Sequence, residues 1–211
     1  YADSAVVEDR AVEQQARVPA TGAARHEAGQ PGKPGQRRFQ HGDFILLDFG
    51  ARVEGYRSDM TRTVVLGKAS AEQQQFYQTV FNAQQAALAA VKPGISGHQL
   101  NQIAQQVLTN SPYAAYVGEG LGHGVGLALH EYPLMRRGCE VLLQPDMVVT
   151  IEPGLYFVDS LLADLAATEF DKYINWQKVD AFRHYGGIRI EDDVIVHQDR
   201  NENMTRDLKL A

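Results

Sequence analysis

One cysteine, one tryptophan and no apolar run long enough to cross a bilayer are the first limits set by this 211-residue chain. A lone thiol, Cys139, cannot close an internal disulfide, and such sparse cysteine usage points to a reducing cytoplasm. With no histidine beside it in sequence, Cys139 reads as a small buried residue and not as a nucleophile. A membrane span needs about 18 consecutive apolar residues, and none is present. The mixed, polar stretch Tyr1–Arg10 lacks the basic-then-apolar order of a signal peptide. Basic blocks are missing as well. Lys and Arg number 20 against 26 Asp and Glu, a net charge of −6, so the electrostatic footprint of a nucleic-acid binder is absent. Nucleic acid and membrane are therefore set aside as partners. A chain that begins with Tyr and not Met reads as a fragment.

What is present is uneven along the chain. Ser4–Arg17 has the makings of one polar helix, and Val18–Arg38 carries Pro, Gly, Ala and Arg with no apolar period. Residues 1–38 therefore read as an atypical, flexible N-terminal segment, and residues 39–211 as the folded unit. Phe44–Phe49 predicts a short apolar strand, Glu54-Gly55 a two-residue turn, and Thr61–Leu66 the returning strand. Ser70 with Gln73, and Ser96 with Gln99, are spaced as capping boxes. Phe76, Val80, Ala83 and Ala87 form the apolar stripe of the first helix, which Lys92-Pro93-Gly94 ends. Leu100, Ile103, Ala104, Val107 and Leu108 form that of the second. Further strands are expected at Met147–Glu152, Gly187–Asp192 and Val194–His197. Strands and helices that do not alternate strictly indicate an α+β fold.

The chemistry lies in acids placed where apolar residues are expected. A two-residue turn at Glu54-Gly55 sets Asp59 opposite Gly50, so Asp48, two residues from Gly50, shares a face with Asp59. Two carboxylates that close repel unless a cation or proton intervenes; solvent-facing sheet acids are the plain alternative. Glu152 closes an apolar strand ahead of Pro153 with no evident partner. Glu191 ends Gly187-Ile188-Arg189-Ile190-Glu191, where Arg189 shares its face and offers a structural ion pair. His123 lies between Gly122 and Gly124, which leave room for an imidazole to approach an ion, and His130 follows seven residues later. Either histidine alone is more often a satisfied core residue than a ligand. The Gly-rich run lacks the Gly-Lys-Ser/Thr ending of a phosphate loop. Four carboxylates and one imidazole together suit two hard divalent ions such as Mn²⁺ or Co²⁺, and a structural zinc site would call on more cysteines.

The same residues carry a family resemblance. Asp48 and Asp59 with ten residues between them, Gly122-His123-Gly124, Ile151-Glu152-Pro153-Gly154 and Gly186-Gly187-Ile188-Arg189-Ile190-Glu191-Asp192 resemble the pita-bread metallopeptidases over about residues 39–211. That group includes methionine aminopeptidase, Xaa-Pro aminopeptidase, prolidase and creatinase. The resemblance implies an α+β pita-bread catalytic domain, short on its N-terminal side. It implies two divalent ions, Mn²⁺ first, with Co²⁺ or Zn²⁺ as alternatives. Asp48 would hold one ion and His123 with Glu152 the other, while Asp59 and Glu191 bridge the two. Hydroxide between the ions would attack the peptide carbonyl. Glu152 would take its proton, His130 would steady the tetrahedral intermediate, and Arg189 with Tyr156 would orient the ligands.

Within the group, Gly55–Thr63 and His130-Glu131-Tyr132-Pro133 look like the bacterial Xaa-Pro peptidases. Gly154–Leu162, Asn175–Lys178 and Glu202–Leu208 are similar to bacterial prolidase. The reaction so implied is cleavage of the bond before proline in Xaa-Pro dipeptides, with a homodimer as one form of assembly. Alternatives are an aminopeptidase acting on longer Xaa-Pro peptides, an organophosphate-hydrolysing relative, or a catalytically silent pita-bread binding module. The chain departs from the pattern at Glu119, where the family has a histidine. Its spacings are mixed too: 29 residues from His123 to Glu152 fit the aminopeptidases, and 39 from Glu152 to Glu191 fit prolidase.

Overall fold

The computed structural model describes residues 38–157, Lys172 and 175–206, together with the backbone of Gln14–Gln15. The first of its elements, β1 (Gln14–Gln15), pairs with β2 (Phe44–Phe49) through Gln14↔Phe49 and Gln15↔Asp48. At these two residues the polar helix expected over Ser4–Arg17 gives way to extended backbone. A polar helix has no apolar face to bury, whereas the edge of β2 offers unpaired backbone groups. The rest of that expectation, and the linker reading of residues 1–37, lie outside the described residues. So do residues 158–171, 173–174 and 207–211, which hold part of the prolidase-like tail.

After β2 the chain reverses through a narrow ribbon, β3 (Arg52–Val53) and β4 (Tyr56–Arg57), and returns as β5 (Met60–Val65). Glu54 and Gly55 at the tip have φ of 52° and 95°. These are the paired left-handed values of a type I′ turn, whose twist matches that of the strands. The register runs Phe44↔Val65 to Phe49↔Met60, then Arg52↔Arg57 and Val53↔Tyr56. Gly50 and Asp59 thus oppose each other, as the sequence predicts.

Helix α1 (Ala71–Ala90) opens at Ser70, whose hydroxyl accepts from Gln73 N at 3.1 Å while Gln73 Oε1 accepts from Ser70 N at 3.0 Å. Ser96 and Gln99 repeat the reciprocal pair at the start of α2 (Gly97–Thr109). Both expected apolar stripes face inward, with Phe76, Val80, Ala83, Ala87 and Leu100 fully buried. Phe76 is the hub, its ring centroid 4.7 to 5.6 Å from those of Tyr113, Phe157, Phe182 and Tyr185.

The remaining strands are β6 (Gly122–Gly124), β7 (Glu131–Met135), β8 (Val148–Ile151), β9 (Gly154–Tyr156), β10 (Gly187–Arg189), β11 (Asp192–Val196) and β12 (Asn201–Asn203). Helix α3 (Trp176–Phe182) precedes β10. An antiparallel five-stranded sheet runs β12-β11-β8-β6-β7, and β9 pairs with β10. Two boundaries differ from expectation. The Gly-rich run contributes β6, a central strand with no apolar alternation. The strand expected over Gly187–Asp192 breaks after Arg189, and Asp192 begins β11. At the break, Glu191 N donates to Thr61 O at 3.1 Å, turning the chain from β9 toward β5. Among the described residues no helix is long and apolar enough to cross a membrane.

Candidate metal centre

Strand alternation places the first two acids. Asp48 on β2 and Asp59 just before β5 lie on one face of the ladder, and with Glu191 they bring carboxylate oxygens within 4.8 Å of one another. Asp59 is anchored through its backbone, its N–H donating to Asp193 Oδ2 at 3.0 Å. Glu191 follows the break after β10 and is 1% exposed. Its Oε2 accepts from Thr61 Oγ1 at 2.5 Å, while its Oε1 is buried with no hydrogen-bond partner among the described residues.

His123 occupies the middle of β6, and its N–H donates to Thr150 Oγ1 at 3.0 Å. With Nδ1 3.0 Å from Gly124 O, the ring donates there and turns Nε2 toward the acids. Nε2 lies 3.3 Å from Glu152 Oε1 and 3.8 Å from Asp59 Oδ2. The glycines on either side serve the sheet and not the ion: a Cβ at Gly122 would meet Thr150 O at 2.0 Å, and one at Gly124 would meet Tyr132 O at 2.6 Å. Glu152, directly after β8, has the partners its sequence neighbourhood does not reveal. Besides His123, Thr150 Oγ1 donates to its Oε1 at 3.3 Å, and Arg189 Nε lies 3.5 Å from its Oε2. His130 is exposed but stands against the site, its ring edge-on to His123 at 4.3 Å between centroids.

Arg189 spans the cluster. It donates to Asp48 Oδ2 at 2.5 Å and, through Nε, to Thr61 Oγ1 at 3.1 Å, and Nη1 reaches the Tyr156 hydroxyl at 3.5 Å. Tyr156 curls over Gly154, where a Cβ would strike its hydroxyl at 2.6 Å. Arg189 therefore pairs with Asp48 and Glu152, in place of the exclusive pair with Glu191 that their shared strand suggests.

The electrostatics follow from packing five ionisable ligand candidates into one spot. Burial, then the charges of Asp48 and Glu152, raise Asp59 from 3.8 to about 6. Burial, then Glu152 and Asp59, hold Glu191 well above the carboxylate range. Burial alone would raise Glu152, but the His123 hydrogen bond and the Arg189 charge outweigh it and bring it down. For His123 burial pulls down, and Glu152 with Asp59 more than reverse it. Acids that cannot all ionise unless positive charge arrives are what a cation site presents. Among the described residues Glu191 Oε1 is a buried acceptor without a donor, and His123 Nε2 faces carboxylates. The donor set fits hard divalent ions.

All five residues expected as ligands meet here, and Arg189, Tyr156 and His130 border them. Sequence reasoning missed Thr61 and Thr150, which hold Glu191 and Glu152. Their positions carry the signal: Thr61 pairs with Asp48, and Thr150 precedes Glu152 by two on the same strand face. It also missed Asp193, which burial raises to about 7. Beside Asp48 and Asp59 opens a solvent-facing hollow, whose wall includes Phe49, Arg52, Arg57 and Leu129.

Comparison with known proteins agrees with this geometry. Xaa-Pro dipeptidase of Escherichia coli O1:K1 is 37% identical in an alignment of 204 positions, covering 79% of this chain and 45% of that protein. Prolidase from Pyrococcus furiosus superposes with a TM-score of 0.67 at 33% identity, over 83% of this chain and 44% of that one. X-Pro aminopeptidase from Thermotoga maritima MSB8 gives 0.67 at 32%, over 82% and 42%. The architecture is thus the pita-bread fold, and the chain spans less than half the length of these relatives. The sequence model of metallopeptidase family M24 matches residues 2–198, nearly the whole chain, and with the clustered acids and the shared fold it makes this protein a member of that family.

Proposed function

We propose that this chain hydrolyses the peptide bond preceding proline in Xaa-Pro dipeptides, using two divalent ions, Mn²⁺ first. The observation that carries the reading is the overlap of three potential ligand groups: Asp48, Asp59, Glu191; His123, Glu152, Glu191; and Asp59, His123, His130. Asp59, Glu191 and His123 each belong to two groups, and of these the two carboxylates, with two oxygens each, are the ones that could bridge a pair of ions. Asp48 would complete one ion's shell, and His123 with Glu152 the other's. The 37% identity to an Xaa-Pro dipeptidase supports the substrate class.

Bound ions supply Lewis acidity, which lowers the pKa of water and polarises a carbonyl. The protein's own groups do the rest. Glu152 accepts the proton of the attacking water and returns it to the prolyl nitrogen as the bond breaks. Its lowered pKa keeps it ionised and ready at neutral pH. His130 donates to the oxygen that gains negative charge, from the exposed side of His123. Arg189 holds Asp48 and Glu152 in place, and the Tyr156 hydroxyl holds Arg189. Residues 39–211 form the catalytic unit in this reading, and a chain with one free thiol, Cys139, belongs in a reducing cytoplasm.

The test is hydrolysis of an Xaa-Pro dipeptide and of a longer Xaa-Pro peptide by the Mn²⁺-loaded chain. Cleavage of the dipeptide is expected. Cleavage of only the longer peptide moves the assignment to an aminopeptidase, a reading the Thermotoga maritima likeness favours. Cleavage of neither by folded, metal-loaded protein removes the peptidase reading.

A further inference from the structure

Gln84 stands where the apolar stripe of α1 calls for an aliphatic residue. It lies one turn after Val80 and next to Ala83, and like them it is fully buried. A buried amide is costly unless its donors and acceptor find partners, and here they do. Its Nε2 lies 3.1 Å from Ile151 O, 3.2 Å from Ile190 O and 3.1 Å from Asp192 Oδ2. Arg206 Nη2 donates to its Oε1. One end of the amide thus meets acceptors and the other a donor, which fixes its orientation. Ile151 ends β8, and Ile190 lies in the break between β10 and β11. Each immediately precedes a glutamate of the candidate metal centre, Glu152 and Glu191.

A peptide unit is rigid and planar, so holding the carbonyl oxygen of one residue holds the Cα of the next. The other side of each unit is held too. Glu152 N donates to Leu121 O at 2.7 Å, and Glu191 N to Thr61 O at 3.1 Å. Both glutamate backbones are therefore clamped from two sides, and Gln84 is common to both clamps. We propose that Gln84 is a positioning residue that sets the separation of Glu152 and Glu191, and with it the spacing of the two ion sites. The proposal rests on the metallopeptidase reading above and deepens it. In that reading Glu191 is shared between the ions and Glu152 serves one of them, so a shift of either backbone alters the distance between the sites. Gln84 acts through the two peptide units. Phe76, the hub of the aromatic core, lies two turns earlier on the same helix, which ties that spacing to the packed interior.

The experiment titrates Mn²⁺ by calorimetry into the metal-free full chain and its Gln84→Met variant, at a temperature where circular dichroism shows both folded. Methionine keeps an unbranched side chain and removes the donors. Outer partners of metal ligands are worth about 10- to 100-fold in affinity, and Q84M is expected to lose that much. The exchange-coupled electron paramagnetic resonance signal of an Mn²⁺ pair, which depends on the distance between the ions, should change shape or vanish. Val80→Ala removes apolar volume from the same buried face one turn earlier. It should lower Tm and leave both metal readouts at parental values. At saturating Mn²⁺, hydrolysis of Ala-Pro by Q84M should fall in kcat with KM held. If Q84M does not fold, Q84N carries the same expectation, since it keeps the amide but withdraws it by one carbon, about 1.5 Å. Parental Mn²⁺ affinity and resonance signal in the Gln84 variant overturn the proposal, and so does an equal loss in V80A. If no protein hydrolyses Ala-Pro while Q84M alone loses Mn²⁺ affinity, the positioning role stands and the peptidase reading falls.

Discussion

Asp59 and Glu191 sit where folding alone would not place them, since each is a buried acid close to others. For Asp59 the penalty is readable by substitution. Its pKa is raised above the unfolded value, so its share of stability is full below 3.8 and is lost as pH rises to about 6. Metal-free Asp59→Asn protein is therefore expected to melt higher than the parent at neutral pH. The gap should open between pH 3.8 and about 6 and stay constant above, as thermal scans in chelator would record. The same variant should lose turnover and hold less than one ion per chain by elemental analysis. Glu191→Ala should behave likewise in activity and metal content, because both residues are shared between ions in the proposed centre. An Asp59→Asn variant that hydrolyses Xaa-Pro at the parental rate contradicts the bridging role.

At the scale of elements, the site depends on how β5, β11 and β12 are tied together. Arg62 on β5 is the knot: Nη1 donates to Glu191 O at 2.6 Å, and Nη2 to Asp192 Oδ1 at 2.8 Å and to Thr205 O at 2.7 Å. Asp192 is fully buried and takes a second guanidinium, from Arg206 at 2.6 Å. Removing Arg62 leaves part of that charge unmatched, so Arg62→Met is expected to cost about 2 to 3 kcal/mol in a denaturant titration. It should also weaken Mn²⁺ binding, because the Glu191 carbonyl loses its tether to β5. A contrasting change is Ser70→Ala at the α1 cap, where the hydroxyl accepts from Gln73 N. It should cost about 1 kcal/mol and leave Mn²⁺ affinity alone. Equal effects of both variants on metal binding would mean that the Arg62 knot has no special hold on the centre.

Across the whole molecule, metal and fold are linked. The ligand candidates come from β2, from the approach to β5, from β6 and from the exits of β8 and β10, so an ion cross-links both main sheets. Ions that bind only the folded chain at 100 times their Kd stabilise it by about 2.7 kcal/mol. For a chain of this length that is a rise in Tm on the order of 5 to 10 °C, reversed by chelation. Differential scanning calorimetry with and without Mn²⁺ measures it, and an unchanged Tm would leave the acids without their cation.

Much of this was legible in the residues themselves. The Glu54-Gly55 turn determines the register of β2 and β5, which is why the Asp48–Asp59 face could be derived by counting. Serine caps and helical apolar stripes marked α1 and α2, because those signals lie within one turn of sequence. What tertiary structure alone decided is which distant groups answer each buried charge. Arg189 lies beside Glu191 in sequence yet pairs with Asp48 and Glu152, and Thr61 and Thr150 supply hydrogen bonds from other strands. Strand β6 carries no alternating pattern because glycines were needed for close approach to Thr150 and Tyr132, a demand visible only once the neighbours are in place. Local order follows from local sequence; charge compensation in a buried site is set by whichever strands the fold brings within about 3 Å.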